Sequence, residues 1–265
     1  MSIDLLHYPS PEAVQATSVY VIADLHGRLD LAREMEAVVL RDIAKYGPKK
    51  PVICVLGDYI DRGPDSCQLL SWLTASPFDR LPCVFLKGNH EAWMLSFLID
   101  PVGTGINWLL NGGADTVESY GINIDDDPDD ADWLWLRSQL LKAIPPVHLS
   151  FLEELRLAFV WDQFICVHAG INPRRPLNNQ DEDDLLWIRE PFLNSRKDFG
   201  YRIVHGHTIV EKPQLRKNRI GIDTGAFDSD VLYCAVLTRS GVRLLKVGTK
   251  QSSLGSISIV GECEE

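Results

Sequence analysis

Residues 18–27 read Ser-Val-Tyr-Val-Ile-Ala-Asp-Leu-His-Gly, and this stretch decides the class of fold. Its first six residues form a short apolar run rich in β-branched side chains, which predicts a buried strand. Apolar side chains then recur at helical spacing over residues 31–43, and Gly47 followed by a proline supplies a stop signal for a helix. A strand followed directly by a helix is one β-α unit, the building block of α/β folds.

Two further β-α units follow the first. Residues 51–56 predict a strand followed by a helix over about residues 66–75. Residues 81–86 predict another strand, followed by a helix that ends near Leu98. Because three consecutive β-α units favour a parallel or mixed sheet, we predict an α/β protein.

The pattern changes in the middle of the chain and then returns to strands. Residues 93–150 show helical spacing and loops, which predicts a helical insertion. Apolar runs resume at residues 155–160 and continue towards the end of the chain, where two of them predict a hairpin. The length predicts a single domain over residues 1–265 that closes with a polar tail over about residues 249–265.

An acidic run over residues 125–132 contains six aspartates and superficially resembles a calcium-binding loop. The run lacks the glycine and the distal glutamate that such a loop requires. We therefore predict a solvated loop, with Asp129 or Asp130 as the N-cap of the following helix.

Composition restricts the partners and the compartment. The chain has 45% hydrophobic and 24% charged residues and a formal net charge of −11. Because this charge repels a polyanion at long range, nucleic acid is not expected as a partner. The sequence has no signal-peptide pattern and no apolar run long enough to cross a bilayer, so we expect a cytoplasmic protein without a membrane partner. Its six cysteines include no Cys-x-x-Cys pair and are expected to be reduced.

Six apolar runs stop at side chains that bind metals or transfer protons. These stops are Asp24 with His26, Asp58, Asn89 with His90, His168, His207 and Asp223. In α/β sheets, ligands collect outside the carboxyl ends of strands, so these side chains are expected to converge. Carboxylate, imidazole and amide donors together suit a pair of divalent cations, which predicts hydrolysis of a phosphate ester.

The motifs occur in a fixed order, each after an apolar run. They are Asp24-Leu25-His26-Gly27, Gly57-Asp58-Tyr59-Ile60-Asp61-Arg62-Gly63, Gly88-Asn89-His90-Glu91, His168-Ala169-Gly170 and Gly206-His207-Thr208. In this order the chain resembles the calcineurin-like metallophosphoesterases, and within them the PPP-type serine/threonine protein phosphatases of the bacterial and phage branch. The resemblance implies a four-layer αββα fold, in which two mixed β-sheets pack as a sandwich flanked by helices.

The resemblance also implies roles for ten residues. The implied metal ligands are Asp24 and His26 for the first ion, Asp58 as the bridge, and Asn89, His168 and His207 for the second ion. The implied catalytic pair is His90 as general acid held by Asp61, and the implied phosphate-binding residues are Arg62 and Arg189. His205 and Asp223 are expected to support the site without binding metal.

Elementary chemistry agrees with these roles. Two ions roughly 3.5 to 4 Å apart require a bridging carboxylate, which Asp58 would supply, and a water shared between them can lose its proton near neutral pH. The resulting bridging hydroxide would attack phosphorus while His90 protonates the leaving group, and Asp61 would favour the imidazolium form. Carboxylate, amide and imidazole ligands suit Mn, and also Fe or Zn.

We therefore predict a two-metal phosphomonoesterase, which the resemblance implies is a serine/threonine protein phosphatase, with a phosphoprotein or a phosphorylated small molecule as substrate; the sequence predicts no oligomeric state. Alternatives are a dinucleotide polyphosphate hydrolase of the diadenosine tetraphosphatase type and a weakly selective small-molecule phosphatase. The first usually lacks the aspartate before Arg-Gly, whereas Asp61 is present. A non-catalytic interaction module is disfavoured because every ligand and the His90–Asp61 pair are retained.

Overall fold

A computed structural model of the chain describes residues 2–7, 15–124, 129–248 and 257–258. Within these residues the strands are, in chain order, β1 (Ser2–Ile3), β2 (Ser18–Ile22), β3 (Pro51–Val55), β4 (Cys83–Phe85), β5 (Ala158–Trp161), β6 (Phe164–Val167), β7 (Gln180–Asp181), β8 (Arg202–His205), β9 (Gln214–Leu215), β10 (Arg219–Gly221), β11 (Val231–Thr238), β12 (Gly241–Gly248) and β13 (Ile257–Ser258). The α-helices are α1 (Leu29–Tyr46), α2 (Ser66–Thr74), α3 (Asn89–Ile99), α4 (Pro101–Trp108), α5 (Ala114–Ser119), α6 (Asp130–Ala143), α7 (Pro146–Glu153), α8 (Glu182–Trp187) and α9 (Ala226–Ser229).

The described strands form two large mixed sheets and one short pair. The first sheet has the order β13-β12-β11-β2-β3-β4, in which β2, β3 and β4 are parallel and the β11–β12 hairpin is antiparallel. The second sheet has the order β5-β6-β8-β10-β9, with β6, β8 and β10 parallel. Strands β1 and β7 pair separately. The predicted α/β class and the two mixed sheets are confirmed.

Alternation along β6 shows how the two sheets bury their faces. Phe164 and Cys166 belong to the larger core cluster, which also contains β2 and β3. Ile165 and Val167 point to the opposite face and belong to a second cluster, shared with Leu185 of α8. Successive side chains of a strand point to opposite faces, so this sheet is apolar on both sides. Each fully buried side chain of this size contributes roughly 1.5–3 kcal/mol of transfer free energy.

Helices cover the outer face of the first sheet. Helix α1 buries Leu31, Met35 and Val39, which recur at helical spacing, and it ends at Gly47, whose φ of 62° gives a left-handed cap. The outer face of the second sheet is covered differently, by the short helix α8, by irregular chain around Ile171 and Phe192, and by Ile3 and Leu5 near the start of the chain.

Between β4 and β5 the chain forms five helices, α3 to α7, together with a π-type turn at Leu109–Gly113. We call residues 89–153 the helical segment. Its acidic stretch behaves as an ordinary helix start, since the Asp129 carboxylate accepts hydrogen bonds from the amides of Ala131 and Asp132. Residues 125–128 lie outside the described chain.

The strand predicted at residues 155–160 is shifted, because β5 begins at Ala158 and the preceding residues connect it to α7. The predicted polar tail, residues 249–265, lies outside the described residues except for Ile257–Ser258, which pairs with β12. None of the helices in the described residues combines the length and hydropathy needed to span a bilayer.

Candidate metal centre

The predicted ligands meet where strands of both sheets end. Asp24 and His26 follow β2, Asp58 follows β3, Asn89 opens α3 after β4, His168 follows β6 and His207 follows β8. All but His207 are at most 3% exposed. Because the carboxyl ends of parallel strands open on one edge, residues far apart in sequence share one cavity.

Asp58 lies at the middle of this set. Its Oδ2 is 3.5 Å from Nε2 of His26, 3.4 Å from Nε2 of His168 and 3.9 Å from Nε2 of His90. Its Oδ1 accepts the backbone N–H of His90 at 3.1 Å. One oxygen of this carboxylate is therefore committed to the backbone, while the other faces imidazoles on opposite sides.

The protonation of two of these imidazoles follows from their other nitrogen. Nδ1 of His26 lies 2.9 Å from the carbonyl oxygen of Ile60, and Nδ1 of His168 lies 2.9 Å from that of Leu56. A carbonyl only accepts, so each Nδ1 carries a proton. Burial lowers the pKa of both rings, that of His168 to about 3, so both are neutral. Their Nε2 lone pairs therefore face Asp58.

The amide oxygen of Asn89, like Oδ2 of Asp58, lies close to nitrogens of two imidazoles. Oδ1 of Asn89 lies 2.8 Å from Nε2 of His168 and 2.8 Å from Nδ1 of His207. Because Nε2 of His168 carries a lone pair, the first of these contacts brings two acceptors together. A cation among Asn89, His168 and Asp58 would turn this repulsion into coordination.

Asp24 contacts the other predicted ligands through a hydrogen bond from the backbone of His207. Its Oδ2 accepts the N–H of His207 at 2.8 Å, whereas Oδ1 is buried without a hydrogen-bond partner. A buried carboxylate oxygen left alone is costly, so this atom is available to a cation. The chain approaches it closely at Gly206, where an added Cβ would overlap Oδ1 of Asp24.

The donor atoms fall into two groups suited to metal ions. One comprises His26, Asp58 and His90, the other Asp58, His168 and His207, and within each group the ligand atoms lie within 4.8 Å of one another. Asp58 belongs to both, as a bridging ligand must. The first group differs from the predicted one, because it contains His90, the predicted acid, and lacks Asp24.

His90 is held from its other nitrogen. Its Nδ1 lies 2.7 Å from Oδ2 of Asp61, and both side chains are buried. Asp61 also accepts hydrogen bonds from Nε1 of Trp108 at 3.0 Å and from Oγ1 of Thr116 at 2.6 Å. Both donors come from the helical segment, so that segment fixes the orientation of the carboxylate and of the imidazole beyond it.

Burial dominates the electrostatics of this pair. It raises the pKa of Asp61 to about 7 and lowers the pKa of His90 to about 3. This shift of His90 is opposite to the one expected from Asp61 alone. The physical reason is that a dry cavity disfavours two separate charges, so the pair holds one proton between Nδ1 and Oδ2.

The two predicted phosphate-binding arginines flank the cavity. Nη1 of Arg62 is 3.4 Å from Nε2 of His26, and its guanidinium lies 4.8 Å from the ring centre of Phe227. Arg189 is exposed and donates to Oγ1 of Thr208 at 3.3 Å. Burial lowers the pKa of His168 and His207, and the nearby charge of Arg189 lowers both further.

Five of the ten predicted site residues adopt the left-handed backbone conformation. Their φ angles are 41° at His26, 50° at Asp58, 71° at Asp61, 69° at Arg62 and 59° at His207. Each such conformation costs of order 1–3 kcal/mol for a residue other than glycine and persists only where neighbouring structure enforces it. Strain of this kind clusters at functional sites.

Glu91 stabilises part of this strained backbone, and no role was predicted for it from the sequence. Its Oε2 accepts the N–H groups of Asp58 and Gly88, each at 2.9 Å, and its Oε1 accepts that of Tyr59 at 2.7 Å. The sequence signal that could have indicated Glu91 is its place at the end of the Gly-Asn-His-Glu motif. For Trp108 and Thr116, no spacing in the sequence indicates that they contact Asp61.

The remaining candidates lie behind the ligands. His205 is buried, with its Nδ1 3.1 Å from the carbonyl of Gly206 and its Nε2 3.4 Å from Arg219. Asp223 accepts the N–H of Gly225 at 2.8 Å, and its charge raises the pKa of Asp24. Both side chains contact backbone just after β8 and β10, and their supporting role stays a prediction.

A family model described as calcineurin-like phosphoesterase matches residues 17–245. Serine/threonine-protein phosphatase 1 of Salmonella typhimurium (strain LT2) is 28% identical over 235 residues, which cover 83% of this chain and 91% of that protein. A symmetrical bis(5'-nucleosyl)-tetraphosphatase of Photobacterium profundum is 28% identical over 194 residues, covering 69% of this chain and 59% of that protein.

Among solved structures, a crystal structure titled as a putative diadenosine tetraphosphatase superimposes with a TM-score of 0.59 at 19% identity. The superposition covers 92% of this chain and 98% of the other. At this identity the likeness shows a shared fold. The two sequence relatives are thus named for two different substrate classes.

Proposed function

Because the chain belongs to the calcineurin-like phosphoesterase family, a family of metal-dependent phosphoesterases, we propose that it hydrolyses phosphate monoesters, above all phosphoserine and phosphothreonine in proteins. The observation that supports this most directly is the position of Asp58. Its Oδ2 faces the lone pairs of His26 and His168 at 3.5 and 3.4 Å, an arrangement that two cations on either side would stabilise.

Two divalent ions, of which Mn is our first choice and Fe or Zn the others, would polarise the phosphate and activate a water shared between them. Asp58 would bridge the ions, Asp24 and His26 would complete one, and Asn89, His168 and His207 would complete the other. The unpartnered Oδ1 of Asp24 and the acceptor–acceptor contact at Asn89 favour this distribution.

The remaining chemistry belongs to the chain itself. Nε2 of His90 faces the predicted ligands while Nδ1 is bound to Asp61. With the shared proton on Oδ2 of Asp61, Nε2 would carry a proton of its own; as Nε2 delivers it to the leaving oxygen, the shared proton would move to Nδ1, so that the imidazole stays neutral and Asp61 becomes ionised. Arg62 and Arg189 would neutralise the other phosphate oxygens with planar, bidentate donors. Their positions on two sides of the cavity fit a phosphate held between them.

The protein-phosphatase proposal rests on two points. The Salmonella serine/threonine phosphatase aligns with 91% of its length, whereas the tetraphosphatase aligns with 59% of its length. Asp61, which the tetraphosphatase pattern usually lacks, is present and forms five side-chain and backbone hydrogen bonds with Trp108, Thr116 and His90. Dinucleotide polyphosphate hydrolysis is the second candidate, because relatives of that class also match.

One comparison of substrates tests the proposal. Protein reconstituted with Mn²⁺ is assayed on p-nitrophenyl phosphate, phosphoserine and phosphotyrosine peptides, and diadenosine tetraphosphate, with chelated protein as the blank. We expect the highest kcat/KM on phosphoserine peptides. A higher value on diadenosine tetraphosphate would favour the second candidate, and no metal-dependent turnover of any substrate would refute both.

The expected partner is thus a phosphoprotein or a phosphorylated small molecule. A net charge of −11 disfavours nucleic acid. A cytoplasmic location stays a proposal.

A further inference from the structure

Two tryptophans form one wall of the metal centre. Trp93 lies edge-to-face with His90 at 5.3 Å between ring centres, and Trp187 lies edge-to-face with His207 at 6.3 Å. The two indoles contact each other at 4.6 Å. Both indoles are partly exposed, so the pair borders the metal centre on one side and the adjoining protein surface on the other.

Beyond the pair lies a groove of about 660 Å³, a volume typical of ligand sites. Its wall is mainly apolar and is built from α3, α6, α7 and α8. The aliphatic side chains include Leu95, Leu98, Leu141, Leu149 and Leu186. Leu141 is 42% exposed although it is apolar. The groove lies next to the metal centre, because both indoles line the groove and also contact His90 and His207.

The charged groups of the groove are mostly carboxylates. Glu153, Glu182 and Asp183 line it, and Lys87 is the one cation among the described lining residues. Lys87 is paired with Glu182, with Nζ 3.0 Å from Oε1. Two carboxylates therefore remain uncompensated by Lys87, which makes the groove attractive to a cationic group and repulsive to an additional phosphate.

We propose that the Trp93–Trp187 pair and this groove bind the polypeptide flanking the phosphorylated residue, with an apolar side chain against Leu141 and a basic side chain near Glu153. This inference rests on the proposed function and names the substrate class of the same site. A dinucleotide polyphosphate fits the groove less well, because its remaining phosphates would approach the carboxylates of Glu153 and Asp183.

The first test places a charge in the apolar wall. Leu141→Glu puts a carboxylate where an apolar side chain of the substrate would lie. Leu134→Glu is the matched control, because Leu134 is 55% exposed on the same helix and lies outside the groove lining. For each Mn²⁺-loaded variant, kcat/KM is measured on a phosphoserine peptide with an apolar neighbour and on p-nitrophenyl phosphate.

We expect kcat/KM for the peptide, divided by kcat/KM for p-nitrophenyl phosphate, to fall about tenfold in Leu141→Glu and to stay unchanged in Leu134→Glu. An unchanged ratio in Leu141→Glu would overturn the groove assignment while leaving the phosphatase proposal intact. Failure of wild-type protein to hydrolyse p-nitrophenyl phosphate would instead refute the phosphatase proposal. Selective loss of diadenosine tetraphosphate turnover in Leu141→Glu would assign the groove to a nucleoside and overturn the polypeptide assignment.

A second pair of variants tests the charge and avoids any change to packing. Glu153 and Glu154 are adjacent and exposed, but only Glu153 lines the groove. Glu153→Lys is expected to lower kcat/KM several-fold for a peptide with an arginine beside the phosphoserine, relative to the same peptide with glutamine. Glu154→Lys is expected to leave that ratio unchanged. Equal effects of the two substitutions would contradict a basic side chain near Glu153.

Discussion

The strand ends and the helical segment contribute different halves of the site. The strand ends supply most of the predicted metal ligands, including Asp58 and His168, each directly after a run of buried residues, while Asn89 is the first residue of the helical segment. The helical segment supplies Trp108 and Thr116, which hold the carboxylate of Asp61, and Trp93, which borders the substrate groove. The predicted metal ligands thus follow from local sequence, whereas the proposed proton transfer and substrate fit depend on packing between distant segments.

The strongest way to separate the two halves is to remove the charge of Asp58. In Asp58→Asn we expect bound metal to fall below the two ions of the wild type and kcat to fall on the order of 10³-fold or more, because a neutral amide bridges two cations poorly. Metal content by elemental analysis and kcat on p-nitrophenyl phosphate measure both effects.

Asp42→Asn serves as the control for Asp58→Asn. Asp42 is also buried, but it binds Arg243 at 2.8 and 2.9 Å and Tyr20 at 2.8 Å, away from the predicted ligands. This variant should lose stability and keep its metal. An unaffected metal count in Asp58→Asn would remove Asp58 from the bridge.

His90→Asn should give a smaller effect that distinguishes acid from ligand. If His90 protonates the leaving group, kcat on a phosphoserine peptide should fall about 10²- to 10⁴-fold with near-normal metal content. The fall should be smaller on p-nitrophenyl phosphate, whose leaving group needs less protonation. Because His90 also lies in a metal-binding group with His26 and Asp58, loss of metal in this variant would show that it is a ligand.

Thr116→Val tests whether the helical segment acts on catalysis through Asp61. The variant removes the hydroxyl that donates to Oδ1 of Asp61 at 2.6 Å and accepts from its N–H at 2.8 Å. We expect kcat to fall about tenfold, equivalent to the 1–1.5 kcal/mol of a buried hydrogen bond, with metal content unchanged. Thr116→Ser keeps the hydroxyl and should restore kcat and the pH profile. Equal activity of the two variants would mean that this contact does not position Asp61.

The smallest effect concerns His148, a buried residue of the helical segment bound to Ser71 at 3.1 Å and to Tyr120 at 2.9 Å. Burial lowers its pKa, so the unfolded chain takes up a proton near pH 6.5 that the folded chain refuses. This contribution to the unfolding free energy is complete above pH 6.5 and is lost as pH falls below it.

In metal-free protein, His148→Gln should therefore reduce the slope of unfolding free energy against pH between 5 and 6.5 by at most one proton, or about 1.4 kcal/mol per pH unit. Urea titrations at several pH values measure this slope. The kcat at neutral pH of the metal-loaded variant should be unaffected, and a large loss there would assign His148 a role in the reaction.

The outcome for the fold depended on the strength of each apolar signal. Strands β2, β3 and β6 were predicted because they are buried along their whole length and read as continuous apolar runs. The two-residue strands β7 and β9 carry no such run, since they are polar or half-buried. Their pairing is decided by neighbours in space, as for β9 beside β10.

The residues of the site also fall into those that local sequence features predicted and those that only long-range packing brought together. The sequence by itself determined which side chains could bind metal, because strand ends and turn glycines are local features and each donor lies within three residues of one. Only the tertiary structure decided that Asp58 faces both His26 and His168, that Glu91 holds the strained Asp58 turn, and that Trp108 reaches Asp61 across 47 positions of the chain. The physical reason is that these contacts depend on backbone strain, burial and long-range packing. None of these produces a local, periodic pattern of residues that the sequence would reveal.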